Sequence, residues 1–131
     1  MGRQRALQVV LILVGLLFVA AILPTIGGIQ DPVHSDTGDT MQMGIYTTLG
    51  VFLLLAVRRP AEHRSLIAFA AWSSLAHALV MTTLGFEIPS EKSGFIGGSA
   101  VLVVIAVLLL ALLPPRESVA IGVTLSATAS E

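Results

Sequence analysis

Apolar residues along this chain come in long blocks, not at the spaced positions of a soluble amphipathic helix. The blocks run from Ala6 to Ile26, Met41 to Val57, Leu66 to Phe86 and Phe95 to Leu113. Each is near the roughly 17–25 residues that a helix needs to cross about 30 Å of hydrocarbon. A spanning barrel would alternate polar and apolar residues in short segments, whereas Val101 to Leu113 is continuously apolar. Open sheet leaves backbone groups unpaired in lipid, so helices are the reading. The pattern predicts four membrane helices at about residues 6–26, 41–57, 62–86 and 95–113.

Residues at the block edges fit that assignment. Asp39 precedes Gln42 by three, a capping-box spacing for the second helix, and Pro60 with Glu62 suits the opening turn of the third. Pro114-Pro115 stops the fourth. Pro24, followed by Gly27-Gly28, predicts that the first helix bends or frays before a long loop over about Gly27 to Thr40. The basic start, Arg3 and Arg5, leads into an apolar run longer than a signal-peptide core with no clean cleavage site, and reads as an anchor.

Charge sets the threading. With four spans, Arg3, Arg5, Arg58, Arg59, Arg64 and Arg116 fall on one side and only Lys92 on the other. The positive-inside rule then places both termini in the cytoplasm. Asp31, Asp36 and Asp39 fall in the first external loop and Glu87 and Glu91 in the second. The expected fold is all-α: an antiparallel four-helix transmembrane bundle, up-down-up-down, forming one domain over residues 1–113. Residues 114–131 are expected to be a disordered cytoplasmic tail, although alternating large and small residues from Val119 also suit a strand.

Composition narrows the function classes. The chain has 131 residues, 55% hydrophobic and 11% charged, against about a quarter charged in an ordinary soluble domain. A net charge of −1 offers no basic footprint for nucleic acid. The absence of cysteine removes disulfides, iron–sulfur ligation, thiolate nucleophiles and a thiol lipidation site. There is no G-x-S-x-G, H-E-x-x-H or P-loop, and no carboxylate pair inside a span, so an enzyme is not expected.

His77 carries the most information. It stands beside the middle of the third block, where ionisable groups rarely face lipid. Ala70, Ser73, Ser74, Met81 and Leu84 share its helical side, a small and polar face suited to packing on another helix. Tyr46, Thr47 and Thr48 on the second helix and Thr82 and Thr83 on the third lie at matching depth, and with His77 they outline a candidate intramembrane polar site. The plainer alternative is helix contact, because hydroxyls bond their own helix carbonyls. Asp31, His34, Asp36 and Asp39 form a weak metal candidate with no established ligand spacing. His77 and Met81 are both haem-ligand types, but one helical turn cannot supply both faces of a macrocycle. Gly94 and Gly98 make a G-x-x-x-G that suits close packing.

The run from Ala61 to Ala78 (AEHRSLIAFAAWSSLAHA), with the opening Arg5-Ala-Leu-Gln-Val-Val, resembles small bacterial four-helix membrane proteins grouped as domains of unknown function. That resemblance implies a bacterial inner-membrane bundle and assigns no site residues. The functional expectation is a non-enzymatic accessory, assembly or oligomeric membrane component with no cofactor. Its partners would be the bilayer, further copies of itself or another membrane protein. The alternatives are a small transporter or channel-like carrier using His77, and a membrane haem or copper protein.

Overall fold

The computed structural model describes residues 2–116, and in them every regular element is helical. The elements are α1 (Gly2–Val19), α2 (Ile22–Gln30), α3 (Thr37–Ala56), α4 (Arg64–Glu87) and α5 (Lys92–Ala111). Short 3-10 turns at Pro60–His63 and Pro89–Glu91 lead into α4 and α5. The tail expected to be disordered, with its possible strand from Val119, lies outside the described residues beyond Arg116.

The first apolar block is two helices, and Pro24 explains the division. A proline has no N–H and its ring crowds the carbonyl four residues earlier, here that of Ala20. That carbonyl instead accepts from Leu23 N–H at 3.1 Å, and Ala21 N–H closes a tight turn on Phe18 O at 3.1 Å. The bend therefore falls at Ala20–Ala21, one turn before the proline, and Gly27-Gly28 stays helical within α2. The loop before α3 shrinks with it, to Asp31–Asp36 in place of the expected Gly27–Thr40.

α3 also starts earlier than the apolar pattern suggested. Its N-cap is Asp36, whose carboxylate accepts from Asp39 N–H at 3.0 Å, so Asp39 is a first-turn residue and not the cap. The cap satisfies an orphan donor and pulls polar residues from Thr37 to Gln42 into the helix. α5 likewise starts at Lys92, ahead of the apolar run.

Three helical stretches are long and apolar enough to cross a membrane: Gly2–Gln30, Pro60–Glu87 and Pro89–Ala111. α3 is not among them, because Thr37, Asp39, Thr40 and Gln42 dilute its first half.

The helices associate as two pairs. α1 and α2 pack on α3, and α4 packs on α5, while contacts between the pairs are far fewer. At the α1–α3 crossing, a Cβ on Gly50 would stand 2.7 Å from Gly15 O and 2.8 Å from Phe18 Cβ. Only glycine admits that approach. The core shared by the two pairs holds Leu7, Leu11 and Phe18 of α1, Tyr46, Leu49 and Leu53 of α3, Ile67, Ala70 and Ala71 of α4, and Ile105, Ala106 and Leu109 of α5. Its fully buried members include nothing from α2, nothing from α3 before Tyr46, nothing from α4 after Ala71 and nothing from α5 before Ile105, and half-buried Leu75 of α4 and Leu102 of α5 pack against its edge.

Candidate functional site

Tyr46 is the α3 residue where the shared core ends. It is 6% exposed, its ring tilted against Phe18 at 4.7 Å between centroids. His77 of α4 meets the same ring edge-on at 5.4 Å and 85°. This T-shaped contact carries the α4 histidine across to α3, a geometry aromatic rings prefer to face-to-face stacking. His77 is half-buried. The Tyr46 hydroxyl is buried and has no hydrogen-bond partner among the described residues.

The remaining members of the expected site scatter. Thr47 donates to Met43 O at 2.9 Å and Thr48 to Gly44 O at 3.2 Å, both on their own helix, and Thr48 is exposed. Thr83 donates to Leu79 O at 3.0 Å and is also exposed. Ser74 is fully buried and donates to Ala70 O at 2.7 Å, and half-buried Ser73 reaches the same carbonyl at 3.1 Å. These hydroxyls satisfy themselves locally, as serine and threonine do in membrane helices. Tyr46 and His77 are thus brought together, and the threonines do not join them as a pocket lining.

Thr82 turns to α5 instead. Its hydroxyl lies 2.6 Å from Ser99 Oγ and 2.8 Å from Ala78 O, and Ser99 donates to that carbonyl at 2.9 Å. Ser99 belongs to this polar knot and was not singled out in the sequence; its signal was the small run Gly97-Gly98-Ser99. Met81 also faces α5, its methyl lying where a Cβ on Gly98 would be, at 2.6 Å. His77 and Met81 therefore serve different neighbours. Of the G-x-x-x-G pair only Gly98 is in contact, since a Cβ on Gly94 would meet nothing within 4 Å.

In the acidic loop, His34 Nδ1 lies 2.9 Å from Asp31 Oδ1, and Asp36 is engaged in capping α3. Among the described residues no three acidic or imidazole groups gather as metal ligands. Surface depressions of about 430 and 310 Å³ lie at the two ends of the molecule, the first by Pro89 and Lys92 and the second by Arg3 and Pro60, and neither includes Tyr46 or His77.

A family model described as a family of unknown function, DUF6632, matches residues 3–127. The chain belongs to this family. The DUF6632 match takes in all four apolar blocks together with Tyr46, His77, Thr82 and Ser99. No curated protein and no solved structure matches the chain.

Proposed function

We propose that this DUF6632 protein is a non-enzymatic, four-span component of a bacterial inner membrane, with both termini cytoplasmic, that works by assembling with further transmembrane helices, foremost a second copy of itself. The observation that carries this reading is the half-closed seam between the two helical pairs. Near the arginine-rich end all four long helices contribute to one core, but beyond Tyr46 and His77 each pair buries residues only against its own partner helix. Helical pairs that leave their facing sides unpacked against each other beyond Tyr46 and His77 offer a surface on which van der Waals contact and interhelical hydrogen bonds drive association in lipid.

The four-span threading has support from the meeting of chain ends. Arg3 donates to Ala111 O and Leu113 O, Gln8 to Val57 O and Arg64 to Pro114 O, so the starts of α1 and α4 lie with the ends of α3 and α5. All six arginines then sit on segments that converge at one end, as the positive-inside rule asks of an antiparallel bundle.

Because the chain has no native cysteine, single-cysteine scanning tests the assembly reading directly. Leu84 stands two turns from His77 on the same side of α4, and Val104 of α5 is exposed with other large apolar residues. Leu84→Cys is expected to cross-link two copies in native membranes, and Val104→Cys is not. No cross-linking from Leu84→Cys or its α3 counterpart Met43→Cys would overturn the reading.

A carrier using His77 is the second reading, favoured by a buried Tyr46 hydroxyl without a hydrogen-bond partner among the described residues, on the ring that the imidazole meets. It requires proton or solute flux in proteoliposomes that His77→Gln abolishes while leaving thermal stability intact. Equal flux in protein-free vesicles removes it.

A further inference from the structure

At the arginine-rich end, α1, the turn before α4 and the segment after α5 line an open depression of about 310 Å³. Its wall is apolar, from Leu7, Pro60, Leu112 and Pro115, and its polar groups come from Arg3 and Gln4. The Arg3 guanidinium is held in place rather than free: its Nη2 donates to Ala111 O at 3.3 Å and Leu113 O at 3.0 Å. A guanidinium has five donor hydrogens, so the Nε and Nη1 positions stay available after Nη2 is used. A fixed planar donor of this kind suits the oxygens of a phosphate group.

The surrounding charge points the same way. Arg58 and Arg59 immediately precede Pro60 of the pocket wall, Arg116 follows Pro115, and Arg5 lies on the next residue after Gln4. Arg64 is tied to Pro114 O through Nε at 2.7 Å. Glu62 is the acidic group described on these segments, and it lies 3.2 Å from Arg59. An apolar wall holding one anchored guanidinium, with four further arginines close in sequence to its lining residues, matches an anionic headgroup whose acyl chain continues along the protein. We propose that this pocket binds the phosphodiester headgroup of an anionic phospholipid of the cytoplasmic leaflet, with Arg3 as the anchoring cation and the prolines and Leu112 receiving the glycerol and upper acyl carbons. Basic recesses between membrane helices on the cytoplasmic side are suited to such headgroups.

The site lies at the opposite end of the shared core from the Tyr46–His77 seam, so its fate is separate from the assembly reading. The test is the Tm of the full chain in a neutral detergent, titrated with phosphatidylglycerol, phosphatidylcholine or inorganic phosphate. Phosphatidylglycerol is expected to raise Tm saturably, phosphatidylcholine to leave it unmoved, and phosphate to give less than half the shift. Arg3→Gln removes the anchor but also two structural hydrogen bonds, so the deciding variant is Gln4→Glu. Gln4 is exposed in the first turn of α1, where an acidic residue suits the helix and the fold is kept. Its added charge is expected to weaken phosphatidylglycerol about tenfold, the change that one close charge contact brings. Ser90→Glu, at the other end of the molecule, is expected to change nothing. An equal response to both lipids, or an unaltered response in Gln4→Glu, overturns the site; a full shift with inorganic phosphate alone overturns the lipid as its occupant.

Discussion

Gly50 and Gly97 show how differently two glycines within helices behave. A Cβ on Gly50 would press on Gly15 O, Val19 N and Phe18 Cβ at 2.7 to 2.8 Å, atoms of backbone or at its root that cannot rotate away. A Cβ on Gly97 would meet nothing within 4 Å. Gly50→Ala is therefore expected to destabilise by about 1–3 kcal/mol, the usual cost of overpacking. Gly97→Ala is expected to be neutral or to stabilise by up to about 1 kcal/mol through helix propensity. Thermal unfolding in detergent separates the two, and equal effects would deny the close α1–α3 crossing. The same measurement applies to the serines. Ser74→Leu, at a fully buried position, should lose more stability than Ser73→Leu, and Val104→Leu, 58% exposed, should lose little. The small face around His77 was legible in the sequence because its residues recur every three or four positions. Which hydroxyl faced which helix was not, since Thr82 and Thr83 differ by one residue and 100° of rotation, and only packing decides that Thr82 reaches Ser99 while Thr83 is exposed.

Element boundaries were the part of the fold least readable from hydropathy, and α1–α2 and α3 show why. Hydropathy marks where a helix is apolar, while hydrogen-bond capping and proline decide where it begins and bends. The Pro24 bend was foreseen near the loop and is found at Ala20–Ala21, because the ring's clash acts one turn upstream. Pro24→Ala restores an N–H that can bond Ala20 O, and the two helices should become one. Spin labels on cysteines at Val9 and Ile29, both exposed, are expected to separate toward the roughly 30 Å of twenty residues of straight helix. An unchanged distance distribution would place the cause of the bend elsewhere. At α3, Asp36→Ala removes the side-chain acceptor for Asp39 N–H and is expected to cost about 1 kcal/mol, read as a lowered Tm.

For the molecule as a whole, four apolar blocks and an all-helical fold were visible in the sequence, and the division into two helical pairs was not. Pairing depends on glycines opposing each other between α1 and α3 and on the Thr82–Ser99 knot between α4 and α5, both of which are relations between distant residues. The threading turns on α3, the one long helix whose polar first half keeps it from qualifying as a span on composition alone. A topology reporter in the Arg59 to Glu62 turn decides the matter. A cytoplasmic signal there with an external one between Asp31 and Asp36 is the expected result, whereas external signals at both sites would mean that α3 does not cross.

Arg3 holding the carbonyls of Ala111 and Leu113 has a consequence in time as well as in space. A ribosome makes the donor more than a hundred residues before the acceptors. The pair formed by α1 and α3 has all its own contacts, Gly15 against Gly50 and Gln8 against Val57, before α4 has been synthesised. The second pair docks on the first only afterwards, and the bond from Arg3 is a late one to close, a latch that forms only on chains whose final helix has reached its place.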